Sequence, residues 1–187
     1  MASVRIKGQM PEPTTVKNTT TSKPRLTIGI IGSFRQHYDQ VLYTWNIFTQ
    51  YGIPVITPKG TTIIEKDIPF VRFVSDNPTY DDFAVQSLTL HRLMSTYVVY
   101  VVAPGGYVGR TTSYEIGRLL QAQKPLYFSN QPADLPIQVS TDNILTPEEL
   151  AKKMLQSEWK PSLAFNETNN LHHELELNLV NGNYRLD

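Results

Sequence analysis

Glu115 is the carboxylate whose surroundings best suit chemistry. It lies in residues 103–128, APGGYVGRTTSYEIGRLLQAQKPLYF, which follow the apolar run 97–102, YVVYVV. Pro104, Gly105, Gly106 and Gly109 form a turn-rich loop. A helical pattern with Glu115 in its first turn comes next, and a short apolar run at 125–128 closes the stretch. Strand, glycine loop, helix and strand in this order predict a βαβ unit with a carboxylate at the mouth of the loop. Ligands of open parallel sheets bind beyond the carboxyl ends of the strands. Glycine lets a backbone approach a ligand and take positive φ, so Gly105, Gly106, Tyr107 and Gly109 are candidate substrate contacts. The hydroxyls of Thr111, Thr112 and Ser113 stand at the helix start, where free N–H groups and the helix dipole favour an anion or sugar oxygens. Residues 112–115, TSYE, also fit a capping box, in which Glu115 would only reach back to the first backbone N–H of the helix. Position alone leaves these two roles level.

A second candidate turn is Gly32-Ser33-Phe34-Arg35, at the end of the apolar run 26–31, LTIGII. The planar guanidinium of Arg35 matches phosphate oxygens. The other reading of Arg35, and of Arg110 beside the glycines, is a surface salt bridge. Tyr38 follows the turn and would bring a phenol near a sugar, or else pack with Trp45 and Tyr51. Asn130 follows the last clear strand and is placed near the pocket by position only. His172 and His173 are adjacent on an alternating segment and would face opposite sides, so no shared metal ion is expected.

The elements that must position these groups alternate. Residues 26–31 and 53–57 read as strands around an amphipathic helix at 36–51 that ends at Gly52. Residues 70–74 read as a strand or extended segment before the turn residues Ser75-Asp76-Asn77-Pro78. A helix is expected over 80–95, then strands at 97–102 and 126–128, whose near-continuous apolar character suits burial on both faces. Ile144 is assigned to a short last strand. Thr146-Pro147-Glu148-Glu149 starts a helix running to about Trp159. The pattern predicts a doubly wound, mainly parallel α/β fold, a flavodoxin- or Rossmann-like three-layer sandwich over residues 25–160. Residues 1–24 are polar, rich in Thr, Lys and Pro, and read as a disordered arm. They include an Asn18-Thr19-Thr20 glycan pattern that carries no weight without a secretory signal. Residues 161–187 read as a tail or arm, with the alternating stretch 171–180 as a terminal hairpin strand or loose segment.

The chain has 187 residues, 17 basic and 17 acidic side chains, and no cysteine. The charge balance argues against a nucleic-acid polymer as partner. Lack of cysteine removes a thiolate nucleophile and a disulfide framework. No apolar run approaches the ~20 residues of a membrane span, and no signal-peptide core is evident. The expectation is a soluble cytoplasmic protein without membrane partners.

Glu115-Ile116-Gly117, the following small-residue helix, Lys124-Pro125-Leu126-Tyr127 and the Gly32-Ser33-Phe34-Arg35 turn together resemble the nucleoside 2-deoxyribosyltransferase family and its relatives, the nucleoside 5′-monophosphate N-glycosidases. The resemblance spans about residues 26–128. It implies that Glu115 is the nucleophile on the anomeric carbon, that Gly32, Ser33 and Arg35, with Phe34 between them, contact phosphate or sugar, and that no cofactor is used. It also implies a small nucleoside or nucleotide as substrate and a homodimer or larger homo-oligomer whose neighbouring subunit completes the pocket. The aromatic residues of helix 36–51 give independent support to assembly, because one sheet covers only one stripe of a helix. Two family aspartates are replaced. One position, six before the nucleophile, is Gly109; the other falls near Leu90-His91. His91 is then a candidate proton donor, with Asp76, Asp81 and Asp82 as further candidates for the acid or as caps. The loop also resembles, less closely, the P-G-G-x-G-T-x-x-E loop of cytokinin-activating phosphoribohydrolases, with Val108 and Arg110 interrupting the pattern. The competing expectation is a nucleotide-binding module without turnover.

Overall fold

Alternating side-chain direction along the central strands sorts the molecule into three layers. In the computed structural model, which describes residues 26–60, 62 and 72–185, β1 (Ile28–Gly32) and β3 (Val98–Val102) are buried along their whole length. Ile28, Ile30, Val98, Tyr100 and Val102 face one side with Tyr127 of β4 (Leu126–Phe128). There they meet Val41 and Phe48 of α1 (Tyr38–Gln50) and Leu150, Ala151 and Met154 of α4 (Pro147–Met154). Ile31, Val99, Val101, Leu126 and Phe128 face the other side. They meet Leu93 of α2 (Asp82–Ser95) and Ile116 and Leu119 of α3 (Arg110–Gln121). This two-sided burial is why the strands read as continuous apolar runs.

With β2 (Val55–Thr57), the strands form one parallel sheet in the order β2-β1-β3-β4. The chain leaves β1 toward one edge for β2 and crosses to the other side for β3. The crevice beyond the carboxyl ends of β1 and β3 is therefore the topological switch point. Gly32 ends β1 opposite Val102, and a Cβ there would lie 2.8 Å from the Val102 carbonyl oxygen. Close approach of β3 thus requires the glycine, whatever ligand lies beyond it.

Several predicted elements shift at their ends. The first helix begins at Tyr38, the second at Asp82 with Asp81 as N-cap accepting from Ala84 N (2.7 Å), and the fourth ends at Met154 rather than near Trp159. The Thr146–Glu149 capping box forms as expected. Ile144 makes only an isolated parallel bridge to Phe128. Residues 72–74 are not a strand, although Val74 N donates to Thr62 O (3.1 Å). The arm at 1–24 and most of 61–71 lie outside the described residues. Lys124, of the Lys-Pro motif, donates to the Met94 and Thr96 carbonyl oxygens at the end of α2. Its role in the fold is that of a cation on free helix carbonyls.

The alternating stretch at 171–180 is the clearest departure. It forms helix α5 (Leu171–Val180), not a hairpin strand or loose tail, and Asn170 caps it by accepting from His173 N. The two histidines face the same body of protein. His173 is fully buried; its Nδ1 accepts from Glu167 N (3.1 Å) and its Nε2 pairs with Gln138 O (2.9 Å). Because Nδ1 accepts, the proton sits on Nε2 and is donated to the carbonyl. His172 Nε2 accepts from Gln138 N (3.0 Å). Residue 138 is thus held at both of its backbone polar groups. His173→Leu is expected to cost about 1–3 kcal/mol, because it leaves the Glu167 N–H and the Gln138 carbonyl unpaired. Urea denaturation at neutral pH measures it.

Candidate active site

The crevice at the switch point is a pocket of about 590 Å³, within the roughly 300–1,000 Å³ of small-molecule sites. Gly32, Ser33, Phe34 and Arg35 line it from the end of β1, Thr57 to Lys59 from the end of β2, and Tyr107 to Thr112 from the loop and first turn of α3. Asp82, Val85, Gln86, Thr89 and Arg92 line it from one face of α2, at helical spacing.

Glu115 lies in this lining and is only 6 % exposed. The capping-box reading of it fails for a geometric reason. Helix α3 begins at Arg110 after an N-cap at Gly109, so Glu115 is in the second turn, too far along to reach the first N–H. Its Oε1 instead accepts a hydrogen bond from Gln86 Nε2 at 2.6 Å. Burial pushes its pKa up from 4.5 to about 7, against the opposing pull of the Gln86 hydrogen bond. A carboxylate poised near neutrality in a cleft has the properties of a nucleophile or base.

The glycine loop is held from behind. A Cβ on Gly106, whose φ is +84°, would lie 2.7 Å from Gln131 O, and Gly106 O accepts from Ala133 N (2.9 Å). The Asp134 carboxylate accepts from Val108 N (3.0 and 3.2 Å) and Gly109 N (3.2 Å). Tyr107 stands edge-on to His37, with centroids 5.8 Å apart. Gly105 and Gly106 shape the loop and are not in the lining. Nor is Ser113, whose Oγ donates to Gly109 O (2.7 Å). Thr111 and Thr112 do line the pocket. Tyr38 is half-buried at the start of α1 and outside the lining, as is Asn130.

His91 is not placed to act as the acid. Asp82, Gln86 and Thr89 face the pocket, and at 3.6 residues per turn His91 falls on the opposite side of α2, exposed. Asp76 does reach the lining. Its Oδ2 accepts from Phe73 N (2.9 Å), and its Oδ1 is 3.7 Å from Arg92 Nη1. Asp82 Oδ1 pairs with Arg72 Nε at 2.7 Å. Phe34 packs edge-on against Phe73, with centroids 5.2 Å apart.

The pocket carries five cations, Arg35, Lys59, Arg72, Arg92 and Arg110, against three carboxylates, Asp76, Asp82 and Glu115. Arg72 and Arg92 are paired. Among the described residues no carboxylate lies within ion-pair distance of Arg35, Lys59 or Arg110. The lining therefore favours an anionic ligand. No group of three His, Cys, Asp or Glu side chains is gathered as a metal site among the described residues.

Gln86, Asp134, Lys59, Arg72 and Arg92 are site residues that sequence reasoning missed. The spacing of 82, 85, 86 and 89 is a readable stripe, but its pocket-facing sense is set by packing. Nothing local marks Asp134 as the partner of a loop 25 residues earlier. No helix among the described residues is long and apolar enough to cross a membrane. Compared with models of known protein families, with curated proteins and with solved structures, the chain has no match.

Proposed function

We propose that the protein breaks the N-glycosidic bond of a nucleoside, 2-deoxynucleoside or nucleoside 5′-monophosphate, with Glu115 as nucleophile and either water or a second base resolving the intermediate. The observation that carries this reading is the buried Glu115 carboxylate, tied at one oxygen to Gln86, on the wall of a pocket that holds five cations among the described residues. Cleavage of this bond develops positive charge at the anomeric carbon, which a carboxylate stabilises or captures covalently. The chemistry uses no cofactor. Incubating the full chain with mixed nucleosides and nucleotides, with and without an acceptor base, and reading base release and exchange by chromatography is the test. Binding without turnover would favour the second reading, a nucleotide-sensing module, which draws on Gly109 standing where the resembling family has an aspartate.

Arg35 is an exposed residue of the pocket lining, with no carboxylate within ion-pair distance among the described residues. A phosphate bound there makes charge-assisted hydrogen bonds worth about 1.5–3 kcal/mol. Arg35→Ala is expected to lower kcat/KM for a 5′-monophosphate by roughly 10–100-fold and to leave the unphosphorylated nucleoside nearly unchanged. Equal losses on both would remove Arg35 from phosphate recognition.

The same reading makes the protein a cytoplasmic homo-oligomer. The aromatic argument for assembly is weaker in the fold than in the sequence. Phe48 is buried, and Trp45 and Tyr51 pack on the core, leaving Tyr43 as the well-exposed ring of α1, bonded to Glu148. Exposed apolar side chains occur instead on α2, α3 and α5, among them Phe83, Tyr114, Leu171 and Leu179. Sedimentation at micromolar concentration is expected to give at least twice the 21.3 kDa chain mass.

A further inference from the structure

The proposed reaction poses a question about the leaving base. A neutral purine or pyrimidine departs as an anion unless an acid protonates it, and a positioned acid contributes about 10²–10⁴-fold. Two-carboxyl glycoside sites give one carboxyl that task. Around Glu115 the described lining holds no free carboxyl and no imidazole for that task. Asp82 is engaged by Arg72 at 2.7 Å. Asp76 accepts from Phe73 N and faces Arg92. Both carboxylates are occupied as acceptors, from groups that only donate. The side chain touching Glu115 is Gln86, an amide that donates a hydrogen bond but transfers no proton. His91 is on the far side of α2. The remaining proton-bearing groups of the described lining are alcohol and phenol hydroxyls, guanidiniums and the Lys59 ammonium, and the cations among them suit the phosphate of the ligand.

We propose that the site acts on nucleotides whose base already carries a positive charge, N-ribosylpyridinium or N7-alkylated purine nucleotides, since such a base leaves neutral and needs no acid. This rests on Glu115 acting as nucleophile, as proposed above. In the first step a Glu115 carboxylate oxygen bonds to C1′ as the C1′–N bond breaks. The electron pair passes to the ring nitrogen and cancels its charge; no proton moves. In the second step water attacks C1′, the ester C–O bond breaks, Glu115 leaves as carboxylate, and the proton of the water goes to solvent. The sum is cationic nucleotide plus water giving sugar phosphate, neutral base and one proton. The rings of Phe34, Phe73 and Tyr107 in the same lining suit a cationic heterocycle, while Arg35, Lys59 and Arg110 suit its phosphate.

The experiment compares base release by the full chain from guanosine 5′-monophosphate and 7-methylguanosine 5′-monophosphate, each in ribo and 2-deoxyribo form, and from nicotinamide mononucleotide. Protein-free incubations give the uncatalysed background. The guanine pair differs by one methyl group and one charge, so base shape and phosphate are held nearly constant. The expected result is cleavage of the 7-methyl compound about 100-fold or more faster than its parent, with cleavage of nicotinamide mononucleotide and no excess over background in Glu115→Gln. A ratio below about tenfold with both compounds cleaved overturns the proposal, because a protein group would then be protonating the base, and leaves the N-glycosidase reading standing. No release above background from any of these compounds overturns both.

Discussion

Glu115→Gln is expected to lose base release by about 10⁴-fold or more, the scale of removing a nucleophile, and at the same time to make the protein more stable above neutral pH. The two effects share one cause. Burial holds the Glu115 pKa near 7, above its ordinary 4.5, so the folded chain binds this proton more tightly than the unfolded chain. Stability from this group is complete below about pH 4.5 and declines as pH rises to about 7, by about 3 kcal/mol in all. The glutamine carries no charge to desolvate, and its oxygen can still accept from Gln86. Denaturant melts should therefore show wild type and Glu115→Gln alike at pH 4 and the variant ahead at pH 8. A variant that keeps near-normal turnover would reduce Glu115 to a structural group.

Activity is expected to climb about tenfold per pH unit up to pH 7 and then level off, because the attacking species in the proposed reaction is the ionised carboxylate. Gln86 sets where the climb ends. Its hydrogen bond to Oε1 favours the charged form, so Gln86→Leu should move the midpoint upward while the plateau is still reached at higher pH. A merely structural role for Gln86 would lower the whole profile without shifting it. A wild-type midpoint near 4.5 would mean that Glu115 is solvated in the working protein and that burial does not tune it.

The three-layer fold was legible because each level of pattern agreed. Residues 98–102 and 126–128 are apolar without interruption since helices cover both faces of the sheet, and Gly32 and the 104–109 loop mark where strands stop. The chemistry of Glu115 was legible only in part. Its residue type and its place after a glycine loop are local facts. Its burial and its bond to Gln86 depend on two helices meeting 29 residues apart in sequence. Counting along the chain points to His91, but helical phase turns it away from the pocket. Helix α5 was misread because LHHELELNLV alternates like a strand while also placing Leu171, Leu175 and Leu179 one turn apart. The deciding influences were the Asn170 cap and the grip of two histidines on residue 138, the latter a contact at long range.

Every described residue of the pocket lining falls between Ile30 and Glu115, and none comes from β4, α4 or α5. The segment after Glu115 thus only supports the pocket, and the Asp134 carboxylate joins that segment to the glycine loop. Lineages descended from this protein could drift in the supporting portion without altering what is recognised, and could change what is recognised without rebuilding the support. Divergence in ligand would then be written among the lining positions from Ile30 to Glu115, while the segment after Glu115 could change with working temperature alone.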